Sequence, residues 1–348
     1  MPLSDEPVVI DGSQGEGGGQ IVRTSLSMSA LTRKPVIVEN IRANRPKPGL
    51  ASQHLTGLEA LKRICDATVI GSKLGSTSVA FSPGKIKHGE YLFEVGTAGS
   101  VTLVLQTILP ALSSVEGTSK VKIAGGTDVK WSPPIDYYRL VHFRQLARFG
   151  LECSINVNRR GYYPRGGGEV EVELSVSKKD MPEIKFEIFS EPEAVKGIIN
   201  ITGLNRSIAD RIKQAALAGL PRSLSGITSI EIEHADKGPS QGVGIVLAAT
   251  DGNVTLGADA LGEKGKSAEA VGSEAARALT EEIRGRAGTD LHASDQLLAY
   301  LCMARPGSCY TARNLTEHAR TNTWTIGHFL ENSICFKEGQ NGVKFERI

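Results

Sequence analysis

Apolar residues along the chain follow two alternating rhythms, every second position in short runs and every third or fourth in longer ones, and the order of these rhythms repeats. VVIDGS reads as a strand and QIVRTSLSMSALT as a helix. PVIVENI and ASQHLTGLEALKRIC repeat that pair, and ATVIGS and TSVAFS add two strands. The succession recurs in YLFEVGT, TLVLQTILPALSS, KVKIAGGT, IDYYRLVHFRQLARF, ECSINVN and GEVEVELSV. A last stretch offers helix DQLLAYLCMA, strand SCYTARN, helix TNTWTIGHFLEN and strands SICFKEG and GVKFERI. Each unit is a βαβαββ set, and the third finds its first strand upstream, in IKFEIFSE.

Residues 186–286 separate that strand from the rest of its unit and have a pattern of their own. INITGL and helix RSIADRIKQAALAGL precede strands ITSIEIEHA, GVGIVLAAT and NVTLGAD, and helix SAEAVGSEAARALTEEIRG closes the segment. The pattern predicts a mixed α/β (α+β) chain. Three βαβαββ repeats form a large domain from 1–185 and 287–348, and a small α+β domain, 186–286, is inserted in the third repeat.

A length of 348 residues accommodates both domains. With 22% charged and 40% hydrophobic residues the composition is that of an ordinary globular protein. The net charge of +2 argues against a general nucleic-acid coat and leaves room for a local basic site that grips one phosphate-rich end. MPLSDEPVVIDGS is not a basic-plus-apolar leader, and no apolar run approaches membrane-spanning length. The five cysteines are scattered and form no CxxC pair, so they read as buried hydrophobes in a reducing compartment. The expectation is a cytoplasmic protein without a membrane partner.

The candidate chemistry lies between strands and helices. DGSQGEGGGQIVR is Gly-rich, but Gln20 stands where GxGxxG needs its last glycine and no GK[ST] follows. What distinguishes the loop is Glu16, able to hold a divalent metal, and Arg23, able to take a phosphate. IRANRPKPGLASQHL clusters Arg42, Arg45 and Lys47 before a helix with Gln53 and His54 in its first turn, a grip for an RNA phosphate or simply a solvated basic loop. GGTDVKWSPPIDYY supplies Trp131, Pro133 and Pro134, plates that could border a base or a plain turn before a helix. RGYYPRGGGEVEVEL reads as a hairpin with Tyr162 and Tyr163 exposed. In HASDQLL, Asp295 and Gln296 read as the start of a helix. His318 falls near a strand-to-helix junction, and His328 falls within a helix beside Trp324, where packing is the ordinary role. HExxH and a spaced carboxylate pair are absent, which leaves a zinc hydrolase reading without support.

In this order, DGSQGEGGGQIVRT, IRANRPKPGLASQH, GTAGSVTLVLQTILP, GGTDVKWSPPIDY, RGYYPRGGGEV, ASDQL and TEHARTNT resemble the signature blocks of RNA 3′-terminal phosphate cyclases, and the resemblance spans nearly the whole chain. It implies three βαβαββ repeats with a small domain in the third, a fold similar to that of the enolpyruvyl transferases. It also implies a three-step reaction: a histidine takes AMP from ATP, the AMP passes to an RNA 3′-phosphate, and the neighbouring 2′-OH closes a 2′,3′-cyclic phosphate as AMP leaves. A divalent metal, Mg2+ or Mn2+, would neutralise the triphosphate.

The resemblance places the nucleophile at His318 and ATP contacts at Gln106, Pro133, His292, Ala293, Ser294, Asp295 and Gln296. His292 stands where an aromatic ring that stacks on adenine is common, and Pro133 would face the other side of that base. Glu16 matches a metal contact, and Arg23, Arg42, Arg45, Gln53 and His54 match the face toward the triphosphate or RNA end. The implied partners are ATP and RNA 3′-phosphate ends, with a homo-oligomer left open. One rival is a non-cyclase paralogue acting in ribosomal RNA processing or assembly. Such relatives lack the nucleophilic histidine, so His318 in an intact TEHARTNT favours the enzyme. The other rival, an enolpyruvyl transferase, would carry six repeats, where this chain has three.

Overall fold

The computed structural model describes residues 6–339 and 342–348. Its first unit runs β1 (Val8–Asp11), α1 (Gly19–Thr32), β2 (Val36–Glu39), α2 (Ser52–Ile64), β3 (Thr68–Ile70) and β4 (Val79–Ser82), in the sheet order β1-β2-β4-β3. β1 and β2 are parallel, and β4 is antiparallel to both β2 and β3. The second unit runs β5 (Glu90–Glu94), α3 (Val101–Leu112), β6 (Gly117–Gly125), α4 (Ile135–Tyr137), α5 (Phe143–Arg148), β7 (Leu151–Arg159) and β8 (Gly168–Val176), in the equivalent order β5-β6-β8-β7. After β9 (Lys185–Phe186) the chain builds a fourth sheet from β10 (Ala194–Thr202), β11 (Thr228–Ala235), β12 (Gly242–Thr250) and β13 (Thr255–Leu261). Helices α6 (Arg206–Gly219) and α7 (Ala268–Gly285) belong to that segment and pack together. The third unit then resumes with α8 (Leu291–Gln296), α9 (Leu298–Leu301), β14 (Cys309–Ala312), α10 (Glu317–Gly327), β15 (Ile334–Gly339) and β16 (Gly342–Arg347).

The third sheet is ordered β9-β14-β16-β15, with β9 and β14 parallel, so all three βαβαββ repeats are present on one plan. The upstream strand is shorter than IKFEIFSE suggests. Beyond Phe186 it pairs only through an isolated bridge between Ile188 and Ala287.

Alternation explains the layering. Val36, Val38, Val79 and Phe81 face the core from the first sheet, as Val121, Ile123, Val170 and Val172 do from the second. The other face of the second sheet carries Lys120 and Lys122 against Glu169, Glu171 and Glu173, a solvated ladder of ion pairs. In α3 every residue except Gln106 is buried.

The helices depart from expectation in three places. IDYYRLVHFRQLARF is interrupted by a π turn at Tyr138–His142, and the Tyr138 and His142 rings meet at a tilt inside the protein, their centroids 4.7 Å apart. DQLLAYLCMA is not one helix. Asp290 caps α8 five residues before Asp295, its carboxylate accepting the Ala293 N–H at 2.9 Å, and the chain turns again at Leu297 before α9. Asp295 therefore sits in the last turn of α8 rather than at a helix start. α10 begins at Glu317, capped by the Thr316 hydroxyl on the Ala319 N–H at 3.0 Å, so His318 lies in the first turn and His328 becomes the C-cap.

Candidate active site

In each unit two parallel strands end on the same side and hand over to helices, and the residues singled out above cluster at those hand-overs. After β1 the chain turns through Gly15 and Gly17, both with left-handed φ near +58° and +57°, and carries Glu16 outward between them. A side chain at Gly15 would collide with the Thr321 hydroxyl of α10, so this loop lies directly against the helix that bears His318.

Three hydrogen bonds join the helices around that loop. The Gln20 amide of α1 donates to the His318 carbonyl, the Thr24 hydroxyl donates to Asn322 Oδ1 at 2.6 Å, and the Asn322 amide donates to the Asp295 carbonyl at 3.1 Å. Gln20, which disqualified the loop as a dinucleotide cradle, is thus the tie between α1 and the histidine. Thr24 and Asn322 fall within the blocks DGSQGEGGGQIVRT and TEHARTNT, but their role depends on three helices meeting.

His318 stands between two carboxylates. Nε2 is 3.4 Å from Glu16 Oε2 and Nδ1 is 3.7 Å from Asp295 Oδ2, while 48% of the side chain remains exposed. Asp295, as acceptor for the ring N–H and as a charge, raises the imidazole above its ordinary pKa, and Glu16 adds to this. Burial and the Arg23 charge oppose them. At 3.7 Å the Asp295 contact is longer than an ordinary hydrogen bond, so most of its effect is charge.

Arg23 and Gln106 meet from α1 and α3, Nε donating to Oε1 at 3.1 Å. Burial lowers Arg23 to about 10, with Asp295 opposing, and it stays charged at neutral pH. These two residues, Asp295, Gln296 and His142 line a cavity of about 40 Å³. His142 Nδ1 and Gln296 Oε1 have no hydrogen-bond partner among the described residues, so the cavity suits ordered water or a polar ligand group.

The other expected contacts are placed unevenly. His292 is exposed, edge-on to Tyr137 with ring centroids 5.8 Å apart, and 3.6 Å from Asp259 of β13. Pro133 is buried, and its carbonyl accepts the Thr102 hydroxyl at 2.8 Å. Ala293 and Ser294 are buried within α8, and the Ser294 carbonyl accepts the Tyr310 hydroxyl.

At the basic loop, Arg45 is exposed and 3.3 Å from Glu16, whereas Arg42 donates to the Gly49 carbonyl at 2.8 Å and holds the loop's own shape. Gln53 is partly exposed beside Gly99. His54 is only 4% exposed, lying under Gly19 rather than on the open face. Tyr162, read from sequence as exposed, is buried with its hydroxyl on Asn200 Oδ1 at 2.7 Å, while Tyr163 does point outward. His328 is exposed with its ring 4.5 Å from that of Trp324, away from the carboxylates.

No group of three or more His, Cys, Asp or Glu side chains among the described residues is arranged to hold a metal. Glu16 alone offers a half-exposed carboxylate in the site, which fits Mg2+ or Mn2+ held largely by phosphate oxygens and water. Among the described residues no helix is long and apolar enough to cross a membrane, and all five cysteines are unpaired.

A profile of the RNA 3′-terminal phosphate cyclase family matches residues 14–336. The RNA 3′-terminal phosphate cyclase of Methanopyrus kandleri is 46% identical over 341 residues, covering 96% of both chains. That of Archaeoglobus fulgidus is 43% identical over 337 residues, 97% of this chain and 100% of its own. Among solved structures, the enolpyruvyl transferase NikO from Streptomyces tendae aligns with 99% of this chain and 48% of its own at a TM-score of 0.38 and 11% identity.

Proposed function

Because the chain belongs to the RNA 3′-terminal phosphate cyclase family, we propose that it uses ATP to convert an RNA 3′-phosphate into a 2′,3′-cyclic phosphodiester through a covalent histidine–AMP. The observation that carries this reading is the setting of His318, accessible in a helix first turn with a carboxylate beside each ring nitrogen. Asp295 favours the proton on Nδ1, which leaves the Nε2 lone pair free on the Glu16 side.

In the first step Nε2 attacks the α-phosphorus of ATP, the bond to the β-phosphate oxygen breaks, and pyrophosphate leaves. In the second, an oxygen of the RNA 3′-phosphate attacks the same phosphorus, the N–P bond breaks, and the imidazole recovers its lone pair as RNA-(3′)pp(5′)A forms. In the third, the 2′-OH attacks the RNA phosphorus, loses its proton to solvent, and expels AMP. The chain divides a hard displacement into easier ones and gives the phosphomonoester a leaving group.

Glu16 would hold the divalent cation, whose contribution is to neutralise charge on the triphosphate. Arg23 and Arg45 offer their guanidinium groups to phosphate oxygens, with Arg42 shaping the loop that presents Arg45. Gln106 and Gln296 supply amides to the nucleotide, and His292 and Pro133 border the adenine. The segment 186–286 carries none of these groups and acts as an inserted domain that braces the site, through Asp259 beside His292.

The test is incubation with α-labelled ATP and Mg2+ or Mn2+, with and without RNA bearing a 3′-phosphate. The expected product is a protein adduct cleaved by acid and stable to alkali, absent in His318→Ala, and discharged by the RNA as cyclic ends appear. Full labelling of His318→Ala would overturn the reading.

A further inference from the structure

Trp131 and Tyr163 are 93% and 79% exposed, which forfeits nearly all the burial energy such rings ordinarily contribute. Trp131 does so with φ at +61°, a backbone conformation that bulky residues rarely adopt. Its loop is nevertheless firmly held. The Ser132 hydroxyl donates to the Val129 carbonyl at 3.0 Å, Lys130 pairs with Glu263 at 2.7 Å, and Pro133 is pinned by Thr102. The indole is therefore presented to solvent by a braced turn.

Tyr163 is presented in the same way. Its neighbour Tyr162 is anchored inside on Asn200, and Tyr163 opens the turn that follows, on the outside of the protein. The two loops are laced together: the N–H groups of Thr127 and Asp128 donate to the Gly161 carbonyl at 2.8 and 3.2 Å, and Asp128 bridges to Tyr162.

Past the exposed Arg165 the hairpin comes down on the turn before α3, where a Cβ on Gly166 would lie 2.6 Å from the Thr97 carbonyl. Gly99 of that turn lies against the Gln53 amide. The hairpin that carries Tyr163 and Arg165 thus reaches the Gln53 side of the site. Two exposed rings, with an exposed arginine two residues beyond the second, suit unpaired bases and a phosphate, because every base has a face to stack and the backbone carries the charge.

We propose that Trp131, Tyr163 and Arg165 form a stacking platform for the single-stranded nucleotides that precede the reacting 3′ end of the RNA. The inference rests on the cyclase reading above and adds to it how the strand is held beyond its terminal phosphate. It implies that binding strengthens with the length of the unpaired end and is tolerant of base sequence.

The chain has two tryptophans, so in Trp324→Phe the emission reports Trp131 alone. Titration with a short oligouridylate ending in a 3′-phosphate should quench that emission saturably, and ATP alone should leave it unchanged. Trp131→Ala and Tyr163→Ala, with melting temperatures like the parent, should each weaken binding of the oligouridylate about tenfold while a 3′-phosphorylated dinucleotide binds nearly as before. Undiminished oligouridylate binding by both variants would overturn the platform, as would quenching by ATP alone, which would assign the ring to the nucleotide. If the parent neither forms an adenylate nor binds 3′-phosphate RNA, the cyclase reading itself fails and the platform with it.

Discussion

The ring of His54 fills the space in which any side chain at Gly19 would begin: a Cβ there would lie far inside contact distance of Nε2. His54 Nδ1 in turn accepts the Ala51 N–H at 3.2 Å, so the start of α2 and the end of the glycine loop are locked by one imidazole. Gly19→Ala should therefore destabilise the protein by about 1–3 kcal/mol in urea unfolding, the ordinary cost of overpacking. Adding His54→Ala should restore part of that loss, since the clash is with the ring. Independent, additive effects of the two changes would show that the contact does not hold the loop.

Acid stability should report the same histidine together with His142. Burial holds both near about 3, with Arg23 and Arg42 also acting on His54. Below the unfolded value of about 6.5 the unfolded chain takes up protons that the folded chain refuses, so stability is full above that pH and falls as pH drops toward 3. Each histidine should contribute a slope of about 1.4 kcal/mol per pH unit in that window. His142→Phe, which keeps an aromatic ring against Tyr138, should flatten the acid side of the curve. An unchanged slope would mean that the ring is protonated in the folded state.

For His318 the sign is opposite. Its pKa is raised, chiefly by Asp295, and only the neutral ring can attack ATP, so adenylation should increase with pH through a value above 6.5. Asp295→Asn removes the main cause and should move that acid limb to lower pH while slowing the step, because the charge that favours the Nδ1–H tautomer is gone and the amide can turn its NH2 toward Nδ1. The charged pair with the carboxylates adds stability below the unfolded value and loses it as pH rises through the folded one. In the pH 8 range His318→Ala should thus cost less than about 1 kcal/mol, as expected for a half-exposed pair. A pH profile unmoved by Asp295→Asn would sever the link between the two residues.

Most elements are legible in the sequence because one apolar face recurs with period 2 or 3.6, and the sheet order follows from repeating the same unit. What periodicity does not carry is where polar runs begin to coil. LHASDQ has little apolar pattern, so Asp290 as the cap of α8 emerges only from its buried bonds to Ala293, Tyr137 and Gly257. The inward turn of Tyr162 depends on Asn200, a residue from a different sheet. His54 reads as a surface residue in a basic run until Gly19 is seen to leave room for its ring. The family blocks name His318, while the bonds that hold its helix in place, from Gln20 and Thr24 of α1 to His318 and Asn322 of α10, join segments far apart in the chain.

Glu16 offers a sharper separation of metal and proton chemistry. It lies near both Arg45 and His318, and Glu16→Gln keeps its shape while removing the charge. Adenylation by this variant should require a higher concentration of Mg2+ or Mn2+ for half-maximal rate, and its acid limb should shift modestly downward because Glu16 is a lesser cause of the raised His318 pKa. Melting should be nearly unchanged, since the group is half exposed. An unaltered metal requirement would remove Glu16 from the cation site.

The segment from β10 to α7 is joined to the second unit by a buried cluster of charge. Arg160, 8% exposed, donates to both Asp136 oxygens at 2.7 and 3.0 Å and to Glu233 of β11, with Asp128 at 3.5 Å. Asn200 of β10 donates to Asp128 and Asp136 as well, at 3.1 and 3.2 Å. Arg160→Met would keep much of the volume and strand the carboxylates, at a cost of about 3–5 kcal/mol. The cost should also depend on pH. Burial already raises Asp128 to about 6 against the opposing charge of Arg160, so removing that charge raises it further. A carboxyl whose folded pKa exceeds its unfolded value loses stability as pH rises through the folded value, and the variant loses more. Urea unfolding at pH 8 should therefore show a larger deficit for Arg160→Met than unfolding at pH 5, where Asp128 takes up a proton. A deficit equal at both pH values, or below about 1 kcal/mol, would mean that the cluster is solvated and that the two sheets are held together by their apolar contacts.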